Sequence, residues 1–229
     1  MGTPLRSEQV ALLSDYDTES AYYIAYHTLF ANIRFGWDAA PSKQHALLLA
    51  VPASYDTLPA LAANLAIAAA QSGTPTVLID ADLKSPTLQQ RFGTPQPRGL
   101  SDLLTEGWSR PQTILPLLSE TFIPQLRLLG AGSSLSQPAR SSLLLSNRLS
   151  ELLSALRLVL SESESRPGLI VFHSPPVLSS IDTAQISALV DQTFLIIANG
   201  RTTRTQARHA QEQLERAHAT LTGLVMLDV

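Results

Sequence analysis

Residues able to do chemistry stand at the ends of short hydrophobic runs. Asp80 and Asp82 close the run 76–79 and Lys84 follows them. His173-Ser174-Pro175-Pro176 closes the run 169–172, with Asp182 a few residues on. A third group is the segment from Asp191 to Gly200 with Thr202 and Thr203 behind it. In an open α/β sheet, ligands bind beyond the carboxyl ends of the strands, so chemistry is to be sought at such positions. Asp80 and Asp82 form a strand-end carboxylate pair of the kind that holds a turn and caps the next helix. The chain has only two lysines, Lys43 and Lys84. Lys43 precedes the first strand, at the wrong end, which leaves Lys84 as the one lysine placed for a phosphate. A lone histidine at a strand end, as His173 is, fits a packed or locally hydrogen-bonded imidazole. With no cysteine, disulfide frameworks, thiolate metal sites and cysteine nucleophiles are excluded.

The elements that must position these residues alternate. Runs 45–51, 76–79, 126–129, 169–172, 194–198 and 223–227 read as strands. Segments 59–71, 139–160, 181–190 and 203–218 read as helices. Continuous apolar strands separated by helices indicate an α/β, doubly wound, mainly parallel sheet covered on both faces. Ahead of it, residues 18–35 carry Ala21, Ile24, Ala25, Leu29 and Ile33 at helical spacing, with a cap at Thr18 or Ser20. The expected organisation is an N-terminal tail over 1–17 and one domain over 18–229, made of the helix 18–35 and a core over 45–229. Residues 95–98 and the Ser/Glu run 161–165 read as surface loops.

Composition narrows the class. A chain of 229 residues, 45% hydrophobic and 15% charged, is that of a domain with a sizeable core rather than a disordered tail. Its net charge of -3 provides no global field for nucleic acid. No apolar stretch approaches the roughly 20 residues of a membrane span, and no apolar signal core follows the first residues. The expectation is a soluble, cytoplasmic domain.

Several segments in order carry a resemblance. They are Ala31-Asn32-Ile33-Arg34-Phe35, Ala62-Ala63-Asn64-Leu65-Ala66, the run from Leu78 to Pro86, Gly99-Leu100-Ser101-Asp102-Leu103-Leu104, Ala131-Gly132 followed by Gln137-Pro138-Ala139, His173 to Pro176, and Asp191 to Thr203. This series resembles the bacterial tyrosine autokinases (BY-kinases) of capsule and exopolysaccharide export, within the deviant P-loop ATPases, over roughly residues 20–228. The family reads AANLA, LIDADLRRP, GLSDLL, IIDTPP and GVVLN in that order. The resemblance implies a P-loop NTPase-like fold, with Asp80 and Asp82 placed to orient Mg²⁺ and activate the attacking hydroxyl.

The sequence departs from the family where the family does its chemistry. The phosphate loop, PGxGKST, falls on Ser54, Tyr55, Asp56, Thr57, Leu58 and Pro59. Glycines let backbone N–H groups point at phosphates, a lysine holds the terminal phosphates, and a hydroxyl binds Mg²⁺. The matching positions offer Tyr55, Thr57, Leu58 and Pro59 instead. Asp56 adds a negative charge where a triphosphate needs positive potential. His173 stands at the Walker B aspartate, and imidazole is a poor exchange for a carboxylate toward Mg²⁺. Arg201 and Arg204 are the arginines available to substitute. Asp228 replaces an asparagine common near the adenine. The five tyrosines, Tyr16, Tyr22, Tyr23, Tyr26 and Tyr55, provide no C-terminal acceptor cluster. Ile24, His27 and Phe30 replace the charged ExxRxxR pattern that builds the family's ring. Tyr22, Tyr23, Tyr26 and Phe30 supply an aromatic face, for contact with another subunit or with their own sheet.

These features imply a catalytically degenerate BY-kinase-like protein, a pseudokinase acting by binding and needing no cofactor. Its expected place is the cytoplasm, peripheral to the inner membrane through a partner. The expected partners are a membrane polysaccharide co-polymerase or a catalytic BY-kinase paralogue, with homo-oligomerisation as a further mode and no nucleic acid. The alternative is an active tyrosine kinase or ATPase using Mg-ATP, with an unorthodox phosphate loop and Asp80 and Asp82 on the metal. A site-positioning or partitioning ATPase of the same superfamily is a third reading; Gly99 to Leu104 and the Pro138 region favour the polysaccharide branch.

Overall fold

The computed structural model describes residues 11–37, 44–54, 59–94, 96–133, 147–163 and 166–228. Seven strands form one sheet: β1 (Gln44–Ala50), β2 (Thr76–Asp80), β3 (Ser119–Glu120), β4 (Leu126–Leu129), β5 (Gly168–His173), β6 (Gln192–Ala198) and β7 (Leu221–Leu227). Their order is β3-β4-β2-β5-β1-β6-β7. Every pair is parallel except β3 with β4. The continuous apolar runs HALLLA, TVLI and LIVF are buried along their length, as strands covered on both faces must be.

Seven described helices surround the sheet: α1 (Ala21–Phe35), α2 (Pro59–Gln71), α3 (Leu88–Phe92), α4 (Leu100–Glu106), α5 (Arg148–Ser163), α6 (Asp182–Ser187) and α7 (Arg204–Arg216). One core cluster joins α4, α5, α6 and α7 to the sheet, and the other joins α1 and α2 to its opposite face. Pro59 opens α2, where its missing N–H costs nothing and its fixed φ suits the first turn. Every residue of α2 from Ala60 to Ala70 is buried. Its alanines are small enough to lie between the sheet and α1.

That burial makes Asn64, fully inside α2, a polar group in need of partners. Its side-chain oxygen accepts the Leu13 N–H at 2.9 Å and its amide donates to the Tyr22 hydroxyl at 2.9 Å. A short 3-10 turn (Leu13–Asp15) and α1 are thereby tied to the core. Ser20, not Thr18, caps α1 through the Tyr23 N–H. Of the aromatic face, Tyr26 and Phe30 are buried against α2 and the sheet, and Tyr22 and Tyr23 are half-buried against the same cluster.

Helix α5 continues through Ser163, so residues 161–163 belong to it rather than to a loop. Lys43, Tyr55 to Leu58, Gln137 to Ala139, and the part of the expected helix 139–160 that precedes residue 147 lie outside the described residues. The antiparallel edge strand β3 and the helices α3 and α4 have no counterpart among the expected elements.

Candidate functional site

Strands β2 and β5 pair in parallel so that Asp80 and His173 are register partners at their carboxyl ends. The Ala81 N–H donates to the His173 carbonyl at 2.8 Å, extending the ladder by one residue. Val177 and Leu178 donate in turn to the Val51 and Pro52 carbonyls at 2.8 and 3.1 Å. The loops after β1, β2 and β5 thus meet at one end of the sheet. Between them lies a cavity of about 180 Å³, with Ser54, Asp82, Ser85, Thr87, His173 and Ser174 on its walls and Leu49, Val51 and Leu61 beneath.

Asp80 is fully buried. One carboxylate oxygen accepts the Thr87 and Leu88 N–H groups at 3.2 and 3.1 Å, and the other accepts the Asp82 N–H at 3.3 Å. Burial raises its pKa above the ordinary carboxylate value, with the facing His173 and the two helix-entry N–H groups opposing that rise. Asp82 folds its own turn, accepting the Lys84 and Ser85 N–H groups at 3.2 and 3.0 Å. Lys84 is exposed and does not line the cavity. The Thr87 hydroxyl, buried beside the cavity, has no hydrogen-bond partner among the described residues. Among the described residues, no group of three or more His, Asp or Glu side chains is gathered to hold a metal ion.

The sequence-selected residues therefore divide. Ser54, Asp80, Asp82 and His173 converge. Asp182 opens α6 and carries a buried, unpartnered carboxylate oxygen. Asp228 accepts from the Asn199 amide at 3.0 Å where β6 and β7 end. Thr202 accepts the Ala198 N–H at 2.9 Å, and Thr203 caps α7 through Gln206. The expected placement of the whole segment from Asp191 at a carboxyl end is corrected. Asp191 precedes β6 at the opposite end of the sheet, where it accepts the Ala46 N–H at 2.7 Å and pairs with Arg157 at 2.8 Å. Only the part from Asn199 onward follows β6 at its carboxyl end.

Asp102 had no role assigned from the sequence. One of its oxygens accepts the Gly99 and Ser133 N–H groups at 2.8 and 3.1 Å, and the other accepts the Ser133 hydroxyl at 2.7 Å. Burial works against the charged carboxylate, but the Ser133 and Gly99 donors outweigh it and hold the pKa below the ordinary value. This lock seats α4 on the end of β4. A Cβ on Gly99 would come within 2.2 Å of the Gly130 carbonyl, and Gly132 adopts φ +82° beneath Asp102. Glycine is required at both positions. The spacing of Gly99, Gly130 and Gly132 was the signal available in the sequence.

No protein-family model matches the chain. It is 29% identical over 201 residues to the tyrosine-protein kinase YwqD of Bacillus subtilis, covering 88% of this chain and 78% of that protein. It is 32% identical over 165 residues to the putative tyrosine-protein kinase EpsB of Ralstonia solanacearum. That match covers 72% of this chain but spans only 20% of the relative. Among solved structures it superposes on the BceF tyrosine kinase domain with a TM-score of 0.78 and 26% identity, covering 95% of this chain and 82% of that one. The kinase domain of Escherichia coli ETK gives 0.81 at 20% identity, covering 98% and 82%, a likeness of fold. The septum site-determining protein MinD of Pyrococcus horikoshii, complexed with Mg-ADP, gives 0.62 at 14% identity over 80% of this chain and 70% of that one, again a likeness of fold. These similarities make the chain a homologue of named bacterial tyrosine-protein kinases, with the mostly parallel seven-stranded sheet found in BY-kinase and MinD-like P-loop NTPase folds.

Proposed function

We propose that this chain is a catalytically silent member of the bacterial tyrosine kinase family, a regulator or scaffold in capsular or exopolysaccharide biosynthesis. In this reading it acts at the cytoplasmic side of the membrane, bound to a polysaccharide co-polymerase or to a catalytic relative. In this reading the partner supplies the attachment to the membrane; among the described residues no helix is long and apolar enough to cross one.

The observation that carries the proposal is the state of the Asp80 carboxylate. Both of its oxygens accept backbone N–H groups that tie it to the turn and to the entry of α3, and the strand beside it presents an imidazole rather than a second carboxylate. Mg²⁺ takes near-octahedral oxygen ligands and exchanges them reluctantly for nitrogen. The donor set therefore does not fit a magnesium nucleotide. Residues 54–59 add no glycine and no lysine, where phosphate cradles place theirs. The unfavourable pieces support one another: no glycine and no lysine in the loop sequence, and an imidazole where the family places its Walker B carboxylate.

The test is thermal melting in millimolar Mg-ATP and Mg-ADP. A ligand raises stability by RT ln(1 + [L]/Kd), which vanishes when the site does not bind. The expected result is an unchanged melting temperature. A rise of several degrees that disappears in Asp80→Ala would establish a working nucleotide site and overturn the proposal.

A further inference from the structure

At the end of the sheet remote from Asp80 lies a second cavity, of about 340 Å³, between the β3–β4 edge and the last turns of α5. Strand β4 reads Leu126-Arg127-Leu128-Leu129. Alternation along a strand puts Arg127 on the same face as Leu129. Leu129 is fully buried in the cluster that holds Val77, Val159 and Leu160. Arg127 is thus an arginine facing inward, half-buried, on the face of the sheet covered by α4 to α7.

A guanidinium in such a place normally carries a partner, because taking a charge out of water is costly without one. Glu120 is its register partner on the antiparallel strand β3, so the two side chains project to the same face. Both line the cavity. Yet among the described residues neither side chain makes an ion pair or a side-chain hydrogen bond. Two opposite charges on one wall stand apart, above a floor of Leu118, Val159 and Leu160. The volume falls within the roughly 300–1,000 Å³ of small-molecule sites, and the walls are divided between polar groups and the apolar floor.

We infer that this cavity binds a small zwitterion of the α-amino-acid class with an apolar side chain. Arg127 takes the carboxylate, for which its planar fork is suited. Glu120, at the exposed rim, takes the ammonium group, and the side chain lies on Leu118, Val159 and Leu160. The inference is independent of the reading given to the Asp80 end of the sheet.

The test is calorimetric titration with L-phenylalanine and L-leucine as probes. The comparisons are 3-phenylpropionate, which lacks the amine, phenethylamine, which lacks the carboxylate, and inorganic phosphate. L-Phenylalanine is expected to bind about tenfold or more tightly than either single-charge analogue or phosphate, one charge-assisted contact being worth about that factor. Arg127→Met and Glu120→Gln are each expected to weaken L-phenylalanine about tenfold or more. Glu120 is exposed, so Glu120→Gln keeps its melting temperature and carries the test if Arg127→Met fails to fold. Binding of neither amino acid at about 10 mM would overturn the inference. So would 3-phenylpropionate or phosphate binding as tightly as L-phenylalanine, or an unchanged affinity in Glu120→Gln.

Discussion

Asp80 and His173 face each other as register partners where β2 and β5 end, with the Ala81 N–H donated to the His173 carbonyl at 2.8 Å. The pair places a buried carboxyl group opposite an imidazole where the loops of the site meet.

Burial raises the Asp80 pKa above the ordinary 3.8. A group raised in the folded state contributes stability that is complete below the unfolded value and is lost as pH rises through the folded one. Asp80→Asn removes that dependence. Chemical denaturation of both proteins from pH 3.5 upward should therefore show the wild type losing ground to the variant with rising pH. The slope should approach about 1.4 kcal/mol per pH unit within the window between the two pKa values. A pH-independent difference would show that Asp80 does not titrate differently on folding.

Asp102 should behave in the opposite sense. Its pKa is lowered in the folded state by the Ser133 and Gly99 donors. Its contribution is present above the ordinary value and disappears as pH falls through the folded one. Asp102→Ala is expected to cost about 1 kcal/mol at pH 7, the scale of a lost helix cap, and nothing in strong acid. Denaturant midpoints at the two pH values check this.

Asn64→Ala should detach the segment before α1. The substitution strands the buried Leu13 N–H and removes the amide donor to the Tyr22 hydroxyl. A loss of about 2 kcal/mol is expected. Hydrogen exchange should accelerate at Leu13 while β1 and β5 stay protected.

Under the proposed reading, rewriting the loop tests whether its sequence alone accounts for catalytic silence. Glycine at 55 and 57, lysine at 58 and threonine at 59 would restore a cradle with a hydroxyl. Phosphoryl transfer needs its donors and metal placed together. The four changes should therefore yield weak nucleotide binding at best and no turnover by coupled ATPase assay. Adding His173→Asp and Asp56→Gly should be required for turnover. Steady hydrolysis from the loop changes alone would show that His173 is no obstacle.

The strands were most legible where three of the six expected runs, 45–51, 76–79 and 169–172, are buried along their whole length, since burial on both faces leaves an uninterrupted apolar stretch. Helix α2 was legible to its ends because Pro59 and Gly73 punctuate it. Strand β3 was not, since two residues, Ser119 and Glu120, have no periodicity. At the site, the convergence of Asp80, Asp82 and His173 followed from their strand-end positions. What Asp80 holds did not, because its partners are backbone N–H groups of Thr87 and Leu88, which every residue carries. The inward turn of Arg127 was hidden for a related reason. A single charge in LRLL reads as an exposed position until its neighbours on the face are known.

The middle of the sheet is built from distant parts of the chain. Strand β1 pairs Gln44 with Gly168 and Leu47 with Gln192 on its two sides. During synthesis it must therefore leave the ribosome with both edges bare and wait until most of the chain has followed. Non-local pairing of this kind slows folding and prolongs the exposure of unpaired hydrophobic backbone. The stretch Ala46-Leu47-Leu48-Leu49-Ala50 is the segment at risk of self-association in that interval. Cellular yield should thus respond to chaperone supply and to growth temperature more steeply than the stability of the finished protein does.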